Sequence, residues 1–245
     1  IEVINLIDWF DKEYHRIPTD FIESNYQLIK KLKSIEDNYH NRIKRLGDIF
    51  VSLIIILITL PVIFIVSCLI YLEDKGPIFY NQTRTGLNGK IIKIIKFRSM
   101  HVDAEIEGIQ WSKNNDKRIT RIGRILRALR IDELPQLFCV LLGSMSLIGP
   151  RPERPEIEEK LFTKVPYYKS RYILKPGISG WAQVNYHYGA SVADTKQKLS
   201  YDIYYISNFS FFLDLLIFFK TIKLVLNAKG YKPKKKIIDN NPNTN

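Results

Sequence analysis

An uncharged, mostly apolar stretch from Ile49 to Leu72 lies near the start of the chain, with Pro61 at its midpoint. An α-helix needs about 20 apolar residues to cross a ~30 Å hydrocarbon core, so the stretch is long enough. A proline within a helix removes a backbone hydrogen bond and costs roughly 3 kcal/mol. Two readings follow: a kinked transmembrane span, or a helix–break–helix hairpin that enters and leaves on one face. Arg42, Lys44 and Arg45 precede the stretch, and many more Lys and Arg follow it. Basic loops tend to stay cytoplasmic, so basic flanks on both sides favour the re-entrant hairpin over a bitopic span. A buried core helix would seldom be apolar on every side. A signal peptide would be shorter and would lack the long polar segment ahead of it.

Residues 1–43 read as a polar linker, interrupted at Pro18 and carrying a surface helix over Phe21–Tyr39. The membrane hairpin takes residues 44–75, and residues 76–230 form the main body. Within that body, Gly76-Pro77 marks a turn. Ile78–Arg84 and Lys90–Arg98 read as strands joined through Asn88-Gly89, a strong hairpin pair. Asp103–Trp111 suits a helix, Arg118–Ile122 an extended segment and Gly123–Arg130 another helix. Leu134–Leu142 is an apolar helix with Pro135 in its first turn, where proline is tolerated. Gly149–Pro155 is too rich in proline for helix or central strand, and Pro176–Gln183 reads as a second rigid loop. Over Phe209–Leu226, Phe212, Leu215, Leu216, Phe219 and Ile222 recur at helical spacing. That pattern suits a helix lying in the membrane interface or one packed on the core. Residues 231–245 read as a disordered tail.

Charge narrows the partners. The 245 residues carry a net charge of +12, which points to anionic lipid headgroups, phosphorylated substrates or nucleic acid. Beside a membrane anchor, lipid and phosphate outrank nucleic acid. The chain opens on Ile1, as a piece of a longer protein would. Cys68 falls in the apolar stretch and Cys139 in a helix, so a disulfide framework is not expected and a reducing, cytosol-facing body is the simpler reading.

Chemistry concentrates in the middle of the chain. Asp132 and Glu133 follow a run of arginines (Arg118, Arg121, Arg124, Arg127, Arg130) and sit just ahead of a helix. Steps of three drift around a helix, so these arginines cannot share one face. Cations and a helix start both favour ionised carboxylates, and an ionised Asp can attack phosphorus or hold Mg²⁺. The plainer reading is that Asp132 caps the helix and Glu133 pairs with an arginine. Arg151 and Arg154 lie in the proline-stiffened loop, where a planar guanidinium matches phosphate oxygens at low entropic cost. Lys96 and Arg98 on the second strand could join them, or form an ordinary solvated edge. The chain has neither a P-loop lysine motif nor a dinucleotide glycine fingerprint. His15, His40, His101 and His187 show no metal-ligand spacing.

Several strings together resemble the bacterial sugar transferase family, the monotopic polyprenyl-phosphate phosphoglycosyl transferases. They are Lys44-Arg45-Leu46-Gly47-Asp48, Gly76–Arg84, Lys96-Phe97-Arg98-Ser99-Met100, Asp132–Leu137, Gly149–Glu153 and Lys175–Gln183, in family order between about Lys44 and Gly230. Residues 1–43 look like the segment that precedes this domain in long-form exopolysaccharide members. The resemblance implies an α+β fold: a compact, mostly helical catalytic domain with a small β-hairpin, a re-entrant membrane helix broken at Pro61, and interfacial amphipathic helices. It implies transfer of a sugar phosphate from a UDP-sugar to undecaprenyl phosphate with Mg²⁺, at the first membrane step of exopolysaccharide, O-antigen or capsule assembly. The setting would be the cytoplasmic face of a bacterial inner membrane, among membrane lipids, with a homodimer expected from the family.

By the same resemblance Asp132 is the nucleophile, forming a phosphosugar-enzyme intermediate and touching the metal. Glu133 assists the acceptor phosphate or orients the metal site. Arg127 and Arg151 match phosphate-binding arginines, and Lys96 a strand position of less defined role. Cys139 and Ser144 depart from the family's Asn and acidic residue, and Leu60-Pro61 puts the nearest hydroxyl at Thr59. Two rivals remain: a membrane glycosyltransferase that releases UDP, and a non-catalytic basic scaffold on anionic lipid.

Overall fold

In a computed structural model, residues 5–22, 39–106, 108, 116–186 and 191–227 are described. The chain begins with a short helix α1 (Leu6–Trp9) that runs on as a π-helical turn through Tyr14. The apolar stretch is one long helix, α2 (Tyr39–Asp74), with Pro61 inside it. Strands β1 (Phe79–Thr85) and β2 (Ile91–Phe97) form the antiparallel hairpin, with Tyr80 opposite Lys96. Asn88 and Gly89 take positive φ of 53° and 75° at its tip, a conformation that Asn and Gly tolerate best. Helix α3 (Arg121–Ala128) is capped by Thr120, whose hydroxyl accepts from the Gly123 amide at 2.9 Å. A 3₁₀ turn over Ile131–Glu133 leads into α4 (Gln136–Leu142).

Strand β3 (Ser146–Ile148), helix α5 (Pro155–Phe162), strand β4 (Gly177–Ser179) and helix α6 (Trp181–Asn185) follow. The expected second loop, Pro176–Gln183, is therefore a strand and a short helix. β4 lies parallel to β3, with Ser146 opposite Gly177 and Ile148 opposite Ser179. The approach is so close that a Cβ on Gly177 would sit 2.1 Å from the Gly149 nitrogen, so only glycine fits. Helix α7 (Val192–Ser207) starts at a capping box between Ser191 and Asp194. Helix α8 (Phe211–Leu226) starts at Ser210.

Other expectations need adjustment. Ile119 is extended and bridges Met100, but α3 already begins at Arg121. The segment expected as a helix from Asp103 to Trp111 forms turns over Val102–Ile106, and most of its remainder lies outside the described residues. Phe21 ends a short 3₁₀ turn and Tyr39 starts α2; residues 23–38 of the expected Phe21–Tyr39 helix and the tail 231–245 also lie outside. Cys68 and Cys139 are free thiols.

The helix does not end and restart at Pro61. Asp48, Ser52, Ile56, Ile63, Val66 and Ile70 recur at steps of three, four or seven residues, one face of a helix, and that face is seated on the body. Packing on both sides of the proline holds the backbone helical there, and proline forfeits only its own N–H. The opposite face is bare: Phe50, Leu57, Ile58, Phe64 and Leu72 are exposed. Only 17% of the most apolar window, of mean hydropathy 3.2, is buried. Helix α8 repeats the arrangement. Ile217 is buried, whereas Phe211, Phe212, Leu215, Leu216, Phe219, Ile222 and Leu226 are exposed. The helix thus packs on the principal core through Ile217 and Leu213, while the rest of its apolar side chains stay free of the core.

The principal core gathers Ile148, Leu161, Tyr168, Trp181, Leu199, Ile203 and Ile206. The segment expected as a linker contributes to it, since Ile7, Ile17 and Ile22 are buried there. The Ile17 amide donates to Ser200 O at 3.0 Å, and Trp181 Nε1 to His15 O at 2.8 Å. Residues 5–22 are thus part of the body's packing. Ile17→Ala should destabilise the protein by about 2–5 kcal/mol, the range for emptying a buried aliphatic site. Denaturant unfolding in detergent would measure it; a neutral result would return the segment to the status of linker.

Candidate active site

Glu133 is the centre of the site. The 3₁₀ turn Ile131–Glu133 follows Arg130, which takes φ 56°, and drives the Glu133 carboxylate inward to 6% exposure. An isolated buried carboxylate is costly, and three cations from three elements meet it. Arg151 Nη2, from the proline-rich loop, donates to Oε1 at 2.6 Å. Lys96 Nζ, from β2, lies 3.7 Å from the same oxygen. Arg130 Nη1 approaches Oε2 at 3.4 Å. Burial alone would raise the Glu133 pKa, but these cations hold it well below the usual carboxylate range. The Arg151 guanidinium is raised in turn, chiefly by Glu133.

Asp132 behaves oppositely. Burial first, and the neighbouring Glu133 charge second, push its pKa up to about 6, against the pull of Lys96, Arg127 and Arg151. The cations favour the ionised form of both carboxylates, as expected, but Glu133 takes most of their stabilisation, and for Asp132 burial outweighs it. Lys96 is lowered to about 8 by burial, with Glu133 opposing and Arg151 and Arg84 adding to the shift. Environments that split adjacent carboxylates in this way separate a poised group from a fixed anion. Asp132 does not cap α4, whose N-cap is Pro135 without a side-chain bond. Glu133 does pair with arginine, as the plainer reading held.

Asp132, Glu133, Lys96, Arg127 and Arg151 are thus brought together. Arg98 and Arg154 are not. Arg98 is buried at the far end of α2, where it binds Asp74 and donates to Pro77 O at 2.6 Å. Arg154 reaches Glu105 at 2.6 Å and Glu156 at 3.7 Å. Pro61 lies within α2. Arg130 belongs at the site although only its place in the arginine series marked it. Arg84 and Arg171, which support the Arg151 loop, were also missed. Arg84 lies in one of the motif strings, but nothing local to Arg171 signals its role.

Among the described residues no group of three or more His, Cys, Asp or Glu side chains could hold a metal. With Glu133 engaged by three cations, Asp132 is the one carboxylate here left to offer an oxygen. That suffices for Mg²⁺ only in its common mode, one or two carboxylates with waters and substrate phosphates completing the octahedron.

The model of the family described as "Bacterial sugar transferase" matches residues 39–228. The chain belongs to that family. Over 188 residues it is 47% identical to the UDP-N-acetylgalactosamine-undecaprenyl-phosphate N-acetylgalactosaminephosphotransferase of Aeromonas hydrophila, covering 77% of this chain and 44% of that protein. Over 191 residues it is 38% identical to the UDP-glucose:undecaprenyl-phosphate glucose-1-phosphate transferase of Klebsiella pneumoniae, covering 77% and 41%. The chain therefore spans less than half the length of these two relatives. It matches 98% of the exopolysaccharide production protein PSS of Rhizobium leguminosarum bv. phaseoli, at 42% identity over 196 residues and 77% of this chain.

Glu133→Gln should release Lys96. Without the anion that raises it, the Lys96 pKa falls below about 8, and more neutral amine is present near pH 7. Mass spectrometry after treatment with an amine-acylating reagent should find faster modification at Lys96 than in the wild type. Unchanged or slower labelling would show that Glu133 does not sustain that charge.

Proposed function

We propose that this chain transfers a sugar 1-phosphate from a UDP-sugar to undecaprenyl phosphate through a covalent intermediate on Asp132. The observation that carries this reading is a partly buried carboxylate of raised pKa beside a carboxylate held ionised by Lys96, Arg130 and Arg151. The names of the relatives supply the reaction class.

An Asp132 oxygen attacks the sugar-side phosphorus, the bond to the bridging oxygen breaks, and UMP departs with that electron pair. A phosphate oxygen of the lipid then attacks the aspartyl phosphosugar. The bond to Asp132 breaks, regenerating the carboxylate, and a lipid diphosphate sugar leaves. Splitting the transfer lets one small cationic site serve a soluble donor and a membrane-bound acceptor in turn. Lys96, Arg127 and Arg151 stabilise charge on the transferring and leaving phosphates. Glu133, too acidic to donate a proton near neutral pH, holds Lys96 and Arg151 at fixed positions. Mg²⁺, held by Asp132 and substrate phosphates, would supply further charge neutralisation.

The same reading includes a re-entrant topology on the cytoplasmic face of the inner membrane. Both ends of α2 are tied to one polar body. At the start, Lys44 pairs with Asp214 at 2.6 Å, Arg45 donates to Leu141 O at 2.8 Å, and Asp48 accepts from the Leu147 amide at 3.2 Å. At the end, Asp74 accepts from Arg98 at 2.6 Å and Glu73 from the Ile122 amide at 3.2 Å. A bitopic span would leave these two sets of ions on opposite sides of the hydrocarbon.

In nanodiscs containing undecaprenyl phosphate, UDP-N-acetylgalactosamine and UDP-glucose form the first donor panel. UMP should appear, β-phosphate label should move into lipid, and Asp132→Asn should abolish both turnover and the trapped adduct. UDP as product would establish glycosyl transfer instead, and metal-independent absence of turnover a scaffold. Arg151→Ala should slow turnover roughly 100- to 1,000-fold, the scale for a transition-state donor, and Arg154→Ala far less.

The rate should also titrate in two limbs. Asp132 attacks when ionised, so kcat/KM should rise with pH through about 6; Lys96 acts when protonated, so it should decline above about 8. A flat profile through pH 6 would remove Asp132 from the rate equation. For topology, cysteines introduced at Arg42 and Lys75 should label from the same side in sealed vesicles; opposite sides would establish a bitopic span.

A further inference from the structure

The loop that carries Arg151 is held by its backbone oxygens. Four successive carbonyls each accept a hydrogen bond, from three places in the fold: β4, Arg171 and the end of β1. The Gly177 amide donates to Pro150 O at 3.0 Å, Arg171 Nη2 to Arg151 O at 2.8 Å, Arg84 Nη1 to Pro152 O at 3.1 Å, and the Thr85 amide to Glu153 O at 3.1 Å. Two of the four donors are arginine side chains. Arg171 is the more deeply buried, at 8% exposure, and is itself fixed on three sides. Its Nη2 also donates to Asp202 Oδ2 at 2.9 Å, its Nη1 donates to Tyr168 Oη at 2.6 Å, and the guanidinium lies 5.0 Å from the Tyr168 ring centre.

We propose that Arg171, oriented by Asp202 and Tyr168, is a positioning residue for the transfer reaction, acting through the Arg151 backbone to set the Arg151 guanidinium. The inference rests on the function proposed above and extends it one shell outward. A buried ion pair is a poor way to gain stability, since apolar replacements of similar volume are often neutral or better. Its particular strength is direction. A guanidinium offers donors in a rigid fork, and this one points at the carbonyl of the residue whose side chain clamps Glu133. The prolines at 150 and 152 narrow the loop's own conformational choices, so one strong bond at Arg151 O fixes what freedom remains. A displacement of about 1 Å in such a group can cost on the order of 100-fold in rate. Lysine, a point charge on a flexible stem, cannot serve Tyr168, Asp202 and Arg151 O in the same geometry.

The test is a double-variant cycle on the full chain in nanodiscs, reading kcat and KM for UMP release together with thermal unfolding. Arg171→Lys should lower kcat and kcat/KM together by about 10-fold or more, as loss of a transition-state interaction does. Arg151→Lys will be slow by itself. If Arg171 acts through Arg151, Arg151→Lys/Arg171→Lys should fall within about twofold of Arg151→Lys, because coupled residues are not additive. A merely structural role would lower the unfolding temperature and multiply the two losses. Multiplicative losses, or a single Arg171→Lys variant with wild-type kcat, would overturn the proposal. Should Arg171→Lys fail to fold, Asp202→Asn takes its place in the cycle, keeping an acceptor but removing the charge that orients the guanidinium, and the same two outcomes decide. Wild-type protein that releases no UMP would overturn the proposed function and this inference together, whereas normal wild-type turnover with multiplicative losses overturns the inference alone.

Discussion

A single buried carboxylate governs the middle of this molecule. Glu133 cannot remain ionised in the interior without partners, and its partners come from β2, from the turn before it and from the proline-rich loop. Satisfying one charge therefore fixes three separately folded pieces of chain relative to one another. The hairpin supplies Lys96 because the β1–β2 register sets which way each residue of β2 faces. The loop supplies Arg151 because the parallel β3–β4 contact anchors its start. Asp132 inherits its character from this arrangement. Its neighbour has absorbed most of the positive charge, so burial and like-charge repulsion prevail and its pKa rises to about 6. Two adjacent acids of nearly equal intrinsic strength end up far apart in acidity.

A second division runs through the whole body. The polar domain carries two helices, α2 and α8, whose apolar side chains greatly outnumber the core positions available to them. The Lys44–Asp214 pair links these helices directly, and Tyr205 donates to the same Asp214 at 2.6 Å. A polar joint thus ties both helices to Tyr205 of the principal core, beside the apolar contact that Ile217 makes with it. Exposed apolar area of this extent has a thermodynamic reason to leave water, and the joint determines how the body hangs from it.

Much of this was legible in the sequence, and the failures have physical causes. The hairpin was legible because its tip needs left-handed backbone, which Asn88 and Gly89 announce. The apolar faces of α2 and α8 were legible from hydropathy. Pro61 misled because propensity is local, whereas the contacts at Ile56, Ile63 and Val66 that hold the helix through it are tertiary. Pro176–Gln183 misled because its glycines signal loops, yet here they allow two backbones to touch. Asp132 and Glu133 were found as a pair, but their acidities were not, since these depend on burial and on Lys96 and Arg151, which are distant in sequence. Arg98 and Arg154 satisfied the local argument for phosphate binding, and their acidic partners Asp74 and Glu105 could be assigned only in three dimensions. Arg171 carries no local sign, because its significance lies in meeting a carbonyl 20 residues away.

Under the proposed re-entrant topology, the bare side of α2 would act on the lipid as well as on the protein. A helix whose two ends share one side of a bilayer displaces lipid from a single leaflet. Area is then added to that leaflet and not to the other. Insertion of this kind does work against lateral pressure, and its free energy depends on lipid packing and curvature, as for amphipathic helices that lie in an interface. Membrane residence for such a chain would depend on the mechanical state of the leaflet, quite apart from any headgroup it recognises.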